Sequence, residues 1–452
     1  MKNLLVTCLL IVFISSGKAT IILPPIIADH MVMQQNAPVK LWGNANAGEQ
    51  VTISILQQTV VTHANSLGKW MVWLQPLSSS IPIEMKISGS NNILIKDILL
   101  GDVWLASGQS NMEWKVKQST NADKEIKAAD YPKIRLFIVR RGFSDTALST
   151  IQGKWELCSP ATAGNFSAVA YFFGRDLFLH NHIPLGMIEA DWGGTNCQAW
   201  TPLKAIEENP RCQYILDNWK KVIDQYPSAL QKYQHLLANW KSEAVAKKTK
   251  GDSVPPPRAP SGRGSKEAPG SIYNGTIAPI AGYTIKGVIW YQGEANAYQY
   301  VAYPYRYLFP TLITAWRKEW GQGNFPFLFV QLSSLSKHPY WPVLRESQSE
   351  TLNLTNTAMA VSLDVGDSMN AHYKNKQVIG HRLYLAAIHL ISNEQVEYSG
   401  PVYRQLTFED KGLRVWFDHA KSLKTTDQAK ISGFTIAGID GNFITADAVI
   451  EG

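Results

Sequence analysis

The sequence predicts an α/β protein with a parallel sheet, flanked on both sides by all-β modules. Three observations lead there. From Gly101 onward, near-continuous apolar runs alternate with helix-length segments, the pattern of strands buried on both faces and the helices that cover them. From Ile21 to about Leu100, by contrast, short runs alternate apolar and polar residues between glycine-bearing turns. After roughly Gln395 this short β rhythm returns.

The elements follow in chain order. Residues 1–19 open on Met1-Lys2-Asn3, continue as an apolar run from Leu4 to Ile14 and close on Ser15-Ser16-Gly17-Lys18-Ala19, which reads as an export signal cleaved after Ala19. The run is too short to span a bilayer, and no later stretch stays apolar for long enough. In residues 20–99 the runs Val39-Lys40-Leu41-Trp42-Gly43, Val51-Thr52-Ile53-Ser54-Ile55, Trp70-Met71-Val72-Trp73-Leu74 and Ile93-Leu94-Ile95 predict a β-sandwich module. The turns Asn46-Ala47-Gly48 and Ser66-Leu67-Gly68 punctuate them.

Residues 100–395 form the expected α/β domain. Its predicted strands are Val103 to Ser107, Ile134 to Val139, Pro184 to Ala190, Ile285 to Tyr291, Phe325 to Leu332 and Ala358 to Leu363. Its predicted helices are Ala168 to Asn181, Cys212 to Gln231 and Tyr305 to Trp320. Within it, residues 241–270, with Pro255-Pro256-Pro257 and Ser261-Gly262-Arg263-Gly264-Ser265, predict a long polar loop. Residues 396–452, with Leu413-Arg414-Val415-Trp416-Phe417 and Gly433-Phe434-Thr435-Ile436, predict a second β module.

Composition excludes some functions. The net charge of +7 becomes +5 once Lys2 and Lys18 leave with the signal, and much of the excess sits between Lys241 and Lys266. No basic stripe interleaved with aromatics points to nucleic acid. Outside the signal, which holds Cys8, three cysteines remain: Cys158, Cys197 and Cys212. An odd number forbids complete pairing; Cys197 and Cys212 could form one bridge, and buried free thiols are the alternative. No Cys-x-x-Cys or His/Cys cluster suggests a metal, and no cofactor is expected. The 15 Trp and 18 Tyr are compatible with stacking on sugar rings, although packing accounts for most of them.

In a parallel sheet, ligands bind at the carboxyl ends of the strands. The run Val103 to Ser107 leads directly into Gly108-Gln109-Ser110-Asn111-Met112, which puts a serine hydroxyl just past a buried strand. Gly108 allows a tight turn, and a following helix start would offer backbone N–H groups to an oxyanion; a helix N-cap is the bland alternative for the serine. A serine nucleophile needs a base. Of ten histidines, His372 stands apart because it closes a polar loop, Asp364-Val365-Gly366-Asp367-Ser368-Met369-Asn370-Ala371-His372, at another strand end. Asp364 or Asp367 could orient its ring. Two further strand ends carry glycine: Asp191-Trp192-Gly193-Gly194-Thr195-Asn196 and Tyr291-Gln292-Gly293-Glu294-Ala295-Asn296. Each alone reads as a turn, but four strand ends bearing Ser, Gly, Asn and His suit acyl transfer.

With these motifs in view, Gly108-Gln109-Ser110-Asn111-Met112-Glu113-Trp114, Trp192-Gly193-Gly194-Thr195, Trp290-Tyr291-Gln292-Gly293-Glu294-Ala295-Asn296-Ala297 and the Asp364 to His372 loop resemble the sialate O-acetylesterase family of SGNH hydrolases. The resemblance extends to Asp29-His30-Met31-Val32-Met33-Gln34-Gln35, Lys69-Trp70 and Tyr273-Asn274-Gly275. It implies a flavodoxin-like three-layer hydrolase domain flanked by β modules, and an enzyme that removes acetyl groups from a carbohydrate; the signal at residues 1–19 makes it an exported one, periplasmic or extracellular. By motif, Ser110 would be the nucleophile, His372 the base, and Gly194 (or Gly193) with Asn296 would complete an oxyanion hole with the Ser110 amide. The position three before His372, where many relatives place the orienting Asp, holds Met369; Asp367 is favoured as orienter over Asp364, with a backbone carbonyl as the third choice. The chain also stops at Gly452, earlier than the family pattern leads one to expect, so an incomplete last module is expected.

Gln109, Trp114, Gln292, Glu294 and Arg345 are the expected substrate contacts, although Gln292 and Glu294 could equally support their loop. Arg345 would meet a sialate carboxylate or form a structural ion pair. Trp114, Trp200 and Tyr291 would stack on a sugar or wall the core. Two alternatives stay open: an acetylesterase for xylan or another plant glycan, and a non-catalytic carbohydrate-binding protein. A glycosidase is a third possibility, and it would need two facing carboxylates.

Overall fold

A computed structural model describes residues 21–248, 255–336, 338–392, 394–410, 412–421, 423–425 and 430–451. The expected export signal, 1–19, and part of the expected loop, 249–254, lie outside the described residues.

The amino-terminal strands are β1 (Val32–Gln34), β2 (Val39–Asn44), β3 (Gln50–Ile55), β4 (Gln58–His63), β5 (Lys69–Leu74) and β6 (Ile83–Ser88), followed by the long β7 (Asn92–Gly108). Antiparallel ladders join β2 with β5, β3 with β4 and β6, and β6 with β7. Strand β7 is one unbroken ribbon, where the sequence suggests two strands and a break near residue 100. Its first half pairs with β6, and its second half, Trp104, Leu105 and Ala106 included, is buried in the centre of the molecule. The Asp29–Gln35 motif secures this passage. Gln34 spans to β7 by donating from Nε2 to Asp102 at 2.9 Å and accepting the Val103 N–H at 2.9 Å. His30 and Arg135 both grip Asp97, each at 2.6 Å.

Beyond β7 come α1 (Ser110–Glu113), α2 (Ala122–Lys127), β8 (Tyr131–Ile138), β9 (Trp155–Cys158), α3 (Ala168–Asn181) and β10 (Leu185–Asp191). They are followed by α4 (Cys197–Trp200), α5 (Leu203–Glu208), α6 (Gln213–Lys248), β11 (Gly287–Tyr291), α7 (Tyr305–Trp320), β12 (Phe327–Val330), α8 (Trp341–Ser349), β13 (Thr357–Ala360) and α9 (Lys376–Ile391). The central order is β13-β12-β11-β7-β10-β8-β9, parallel except for the β8–β9 pair. This is the mixed α/β architecture with a largely parallel sheet that the hydrophobic runs predict. After β7 the chain first builds β8, β9 and β10 on one side, then crosses to build β11, β12 and β13 on the other. Strand β7 therefore stands at the topological switch point, where the flanking connections diverge and ligands bind in open parallel sheets.

Two expectations change. Helix α6 continues to Lys248, past Gln231 and into the stretch 241–270 expected as loop; Pro227 lies inside it. Cys158, Cys197 and Cys212 are all free and buried, so no 197–212 bridge forms. Near the carboxyl end, β14 (Val402–Glu409) pairs with β15 (Gly412–Asp418), and β16 (Thr435–Ala437) with β17 (Phe443–Thr445).

The turn that ends β7 is backbone-limited. Gly108 has φ +140°, and a Cβ there would sit 2.1 Å from the carbonyl oxygen of Tyr291, the same oxygen that accepts the Gln109 N–H at 2.9 Å. No rotamer can relieve a clash with backbone. Gly108→Ala is expected to cost about 3–5 kcal/mol, read from denaturant unfolding of the purified variant; a midpoint equal to wild type would show that the turn is not held as described.

Candidate active site

Ser110 opens α1 immediately after the Gly108 turn, and its Oγ lies 2.7 Å from Nε2 of His372. His372 comes from the loop after β13, at the far edge of the sheet. Several contacts bring that loop back to β7. Asn111 donates from Nδ2 to the carbonyl of Ala371 at 2.9 Å, Tyr291 and Tyr373 join hydroxyl to hydroxyl at 2.9 Å, and the His372 N–H donates to Asn370 Oδ1 at 2.9 Å. The imidazole stacks on Trp114, with centroids 5.9 Å apart and planes 11° from parallel. Burial, then the positive charge of Lys376, holds His372 below its ordinary pKa, with Glu113 opposing. A base must be unprotonated to accept a proton, and this shift favours the neutral ring that could serve as one.

The flanking strands deliver the other two turns. After β10, the Gly193 N–H donates to Glu113 Oε2 at 2.6 Å, and Glu113 is in turn paired with Arg141. A side chain on Gly193 would meet that carboxylate at 2.8 Å and the Cβ of Ser110 at 3.4 Å, so this turn lies directly against the serine. Gly194 is exposed at φ +70°, and its N–H has no acceptor among the described residues. After β11, a single 3-10 turn, Glu294–Asn296, carries Asn296, fully buried. Its Oδ1 accepts from the Cys197 N–H and from Gln292 Nε2, both at 2.8 Å, while Nδ2 donates to Gln198 Oε1 at 3.0 Å. An amide nitrogen carries two hydrogens, so one remains for another acceptor.

Among the described residues, no three His, Cys, Asp or Glu side chains gather to hold a metal ion, and no helix is long and apolar enough to cross a membrane.

The chain that brings a serine, an imidazole and N–H donors together at the ends of three adjacent strands and one loop is similar to known proteins. A family model described as carbohydrate esterase, sialic acid-specific acetylesterase, matches residues 267–389. Sialate O-acetylesterase of Rattus norvegicus is 30% identical over 427 residues, covering 84% of this chain and 75% of that protein. That of Homo sapiens is 29% identical over 428 residues, covering 85% and 74%. The chain belongs to the sialate O-acetylesterase family. A crystal structure of a carbohydrate acetylesterase from Xanthomonas citri superposes with a TM-score of 0.81 at 31% identity, covering 96% of this chain and 89% of that one.

Within this esterase, the residues picked out by sequence fall into three groups. Ser110, His372, Gly193, Gly194, Asn296 and Trp114 are drawn together, although Gly193 spends its N–H on Glu113, which leaves Gly194 as the donor free in that turn. Gln109 and Gln292, expected at the substrate, are buried braces. Gln109 Oε1 accepts the N–H groups of Gly293 and Ala295 at 3.3 and 3.2 Å. Gln292 is fully buried, donating to Asn296 and accepting from the Tyr305 hydroxyl at 2.9 Å. Trp200 and Tyr291 are likewise walls of the core, with no exposed ring face.

No member of the third group is hydrogen-bonded to the imidazole. Asp364 is held bidentately by Arg382, both contacts 2.6 Å, and Asp367 accepts the Met369 N–H at 2.8 Å. Neither carboxylate is hydrogen-bonded to His372, which corrects the expected orienter. The loop turns tightly on Asp367 instead, and ring stacking on Trp114 holds the imidazole. Arg345, on α8, forms no ion pair among the described residues, and its Nε is shielded without a partner. Glu294 accepts from Asn111 at 2.5 Å through Oε1, while Oε2 is shielded without a partner; burial raises its pKa.

Proposed function

We propose that this chain is an exported carbohydrate O-acetylesterase that removes O-acetyl groups from sialic acids through a Ser110–His372 acyl-enzyme, on an SGNH hydrolase domain flanked by β modules. The 2.7 Å contact between Ser110 Oγ and His372 Nε2 at the switch point carries the reading. His372 accepts the Ser110 proton as Oγ attacks the acetyl carbonyl carbon. The oxyanion is received by the N–H groups of Ser110 and Gly194 and by the remaining hydrogen of Asn296 Nδ2. Collapse breaks the bond to the sugar oxygen, which leaves with the proton from His372. Water, deprotonated by His372, then attacks the acetyl-serine; acetate departs and Ser110 regains its proton. A purely sugar-binding protein has no use for a base against a serine hydroxyl.

The relatives' name and the unpaired Arg345 favour sialic acid, whose carboxylate a guanidinium can meet bidentately. Acetate release from 9-O-acetylated sialic acid, run beside acetylated xylan, tests this. Arg345→Met is expected to raise KM about 10- to 100-fold on the sialic acid, and much less on xylan. Turnover of xylan alone would discard the sialate assignment and keep the chemistry.

A further inference from the structure

Lys376 is the first residue of α9, it is fully buried, and among the described residues no carboxylate lies within ion-pair distance of its ammonium. Three costs meet there. A buried charge loses hydration, an unpaired one recovers nothing from an opposite charge, and a cation at a helix N-terminus opposes the helix dipole. What surrounds it is an aromatic cage: Nζ lies 3.9 Å from the ring centroid of Tyr373, 5.6 Å from that of Tyr291 and 5.8 Å from that of Trp114. Cation–π attraction offsets part of the desolvation. The only hydrogen bond of the ammonium among the described residues runs 2.5 Å to Oδ1 of Asn111, the residue after Ser110.

Asn111 is thereby fixed in orientation. Its oxygen faces a pure donor, and its nitrogen faces two pure acceptors, Glu294 Oε1 at 2.5 Å and the Ala371 carbonyl at 2.9 Å. One side chain thus joins the nucleophile turn after β7, the oxyanion turn after β11 and the residue preceding His372. A group placed at such expense, beside the reacting residues and contributing no paired charge to the fold, marks a functional role.

Resting on the Ser110–His372 reading, we propose that Lys376 is a positioning residue of the reaction. Through Asn111 it locks the serine turn, the Glu294 turn and the histidine loop in register, a task that an acid partner of the imidazole would otherwise perform. The groups facing this cluster are Glu294 and Tyr291 from the β11 side, Tyr373 and His372 from the loop, Glu113 from α1, and Arg382 beyond Tyr373 on α9. Burial pushes Lys376 down to about 7, so it is protonated throughout the acid range in which His372 titrates. There it holds His372 down.

Lys376→Met, assayed on O-acetylated sialic acid or a neutral acetyl ester, is expected to lower kcat about 10²-fold with KM nearly unchanged. It is also expected to move the acid limb of kcat/KM to higher pH, because His372 loses a neighbouring cation. The limb reports only the lost charge; a lysine that merely filled the core would, in a folded variant, leave kcat in place, so the fall in kcat at constant KM is what marks the positioning role. Asn111→Asp, isosteric but unable to donate to Ala371, is expected to lose kcat similarly and serves if the methionine variant does not fold. A folded Lys376→Met with wild-type kcat, or wild-type kcat in Asn111→Asp, would overturn the proposal. Ser110→Ala runs alongside: if it is inactive while both variants match wild type, the positioning role alone fails, whereas retained activity in Ser110→Ala overturns the reaction itself.

Discussion

Ser110→Ala is expected to lower kcat for acetate release by about 10⁴-fold or more, with the melting transition unchanged. The hydroxyl is half-buried, and its side-chain hydrogen bond is to His372, itself partly exposed, so truncation leaves no deeply buried partner without water. The fold therefore stays intact while the bond-forming atom disappears. His372→Ala is expected to fall nearly as far, and the double variant no further, because the two act as one unit. The wild-type acid limb supplies an independent check. Burial and Lys376 hold His372 below its usual value of 6.5, so kcat/KM is expected to persist as pH falls past 6.5 and to decline only beneath it. Residual activity above about 1% of wild type in a natively melting Ser110→Ala, or an acid limb above 6.5, would contradict this assignment.

The sheet and the Ser110–His372 pair are legible in the sequence for identifiable physical reasons. Strands such as Val103–Ser107 and Leu185–Ala190 are buried on both faces, so their apolar runs are continuous and easy to see. Ser110 and His372 stand where such runs stop. What stayed hidden depends on direction rather than on residue type. Asp367 lies five residues before His372, yet the loop turns its carboxylate onto the Met369 N–H, and no periodicity reports that. Gln109 and Gln292 sit in the motifs but point inward as braces: Gln109 accepts backbone N–H groups that the Gly293 turn leaves needing an acceptor, and Gln292 donates to Asn296 and the Thr195 carbonyl while accepting from Tyr305. Lys376 gave no signal. A lysine at the head of a helix reads as solvent-facing, and only the packing of Trp114, Tyr291 and Tyr373 around it shows otherwise. Glu113 belongs to the Gly108–Trp114 motif, but its grip on the Gly193 N–H appears only once β7 and β10 lie side by side.

Asn296→Asp separates chemistry from architecture at the oxyanion site. Truncation to alanine would strand the Cys197 N–H and Gln292 Nε2 in a dry interior, at about 1–3 kcal/mol each, and would confuse lost catalysis with lost stability. Aspartate keeps an oxygen at the Oδ1 position for both donors and changes the donating nitrogen into an acceptor. Gln198 can answer by turning its amide so that its own nitrogen faces the new oxygen. The variant should therefore fold, yet it offers no hydrogen to the tetrahedral oxyanion and adds negative charge beside it. Loss of one such donor costs about 10²–10³-fold in kcat, and charge repulsion adds to this, so at least about 10³-fold is expected with KM little changed. The split matters: an amide that contacts substrate equally in ground and transition states would raise KM and spare kcat. If Asn296→Asp keeps kcat within tenfold of wild type, the oxyanion rests on backbone N–H groups alone, and Asn296 is a brace of the same kind as Gln292.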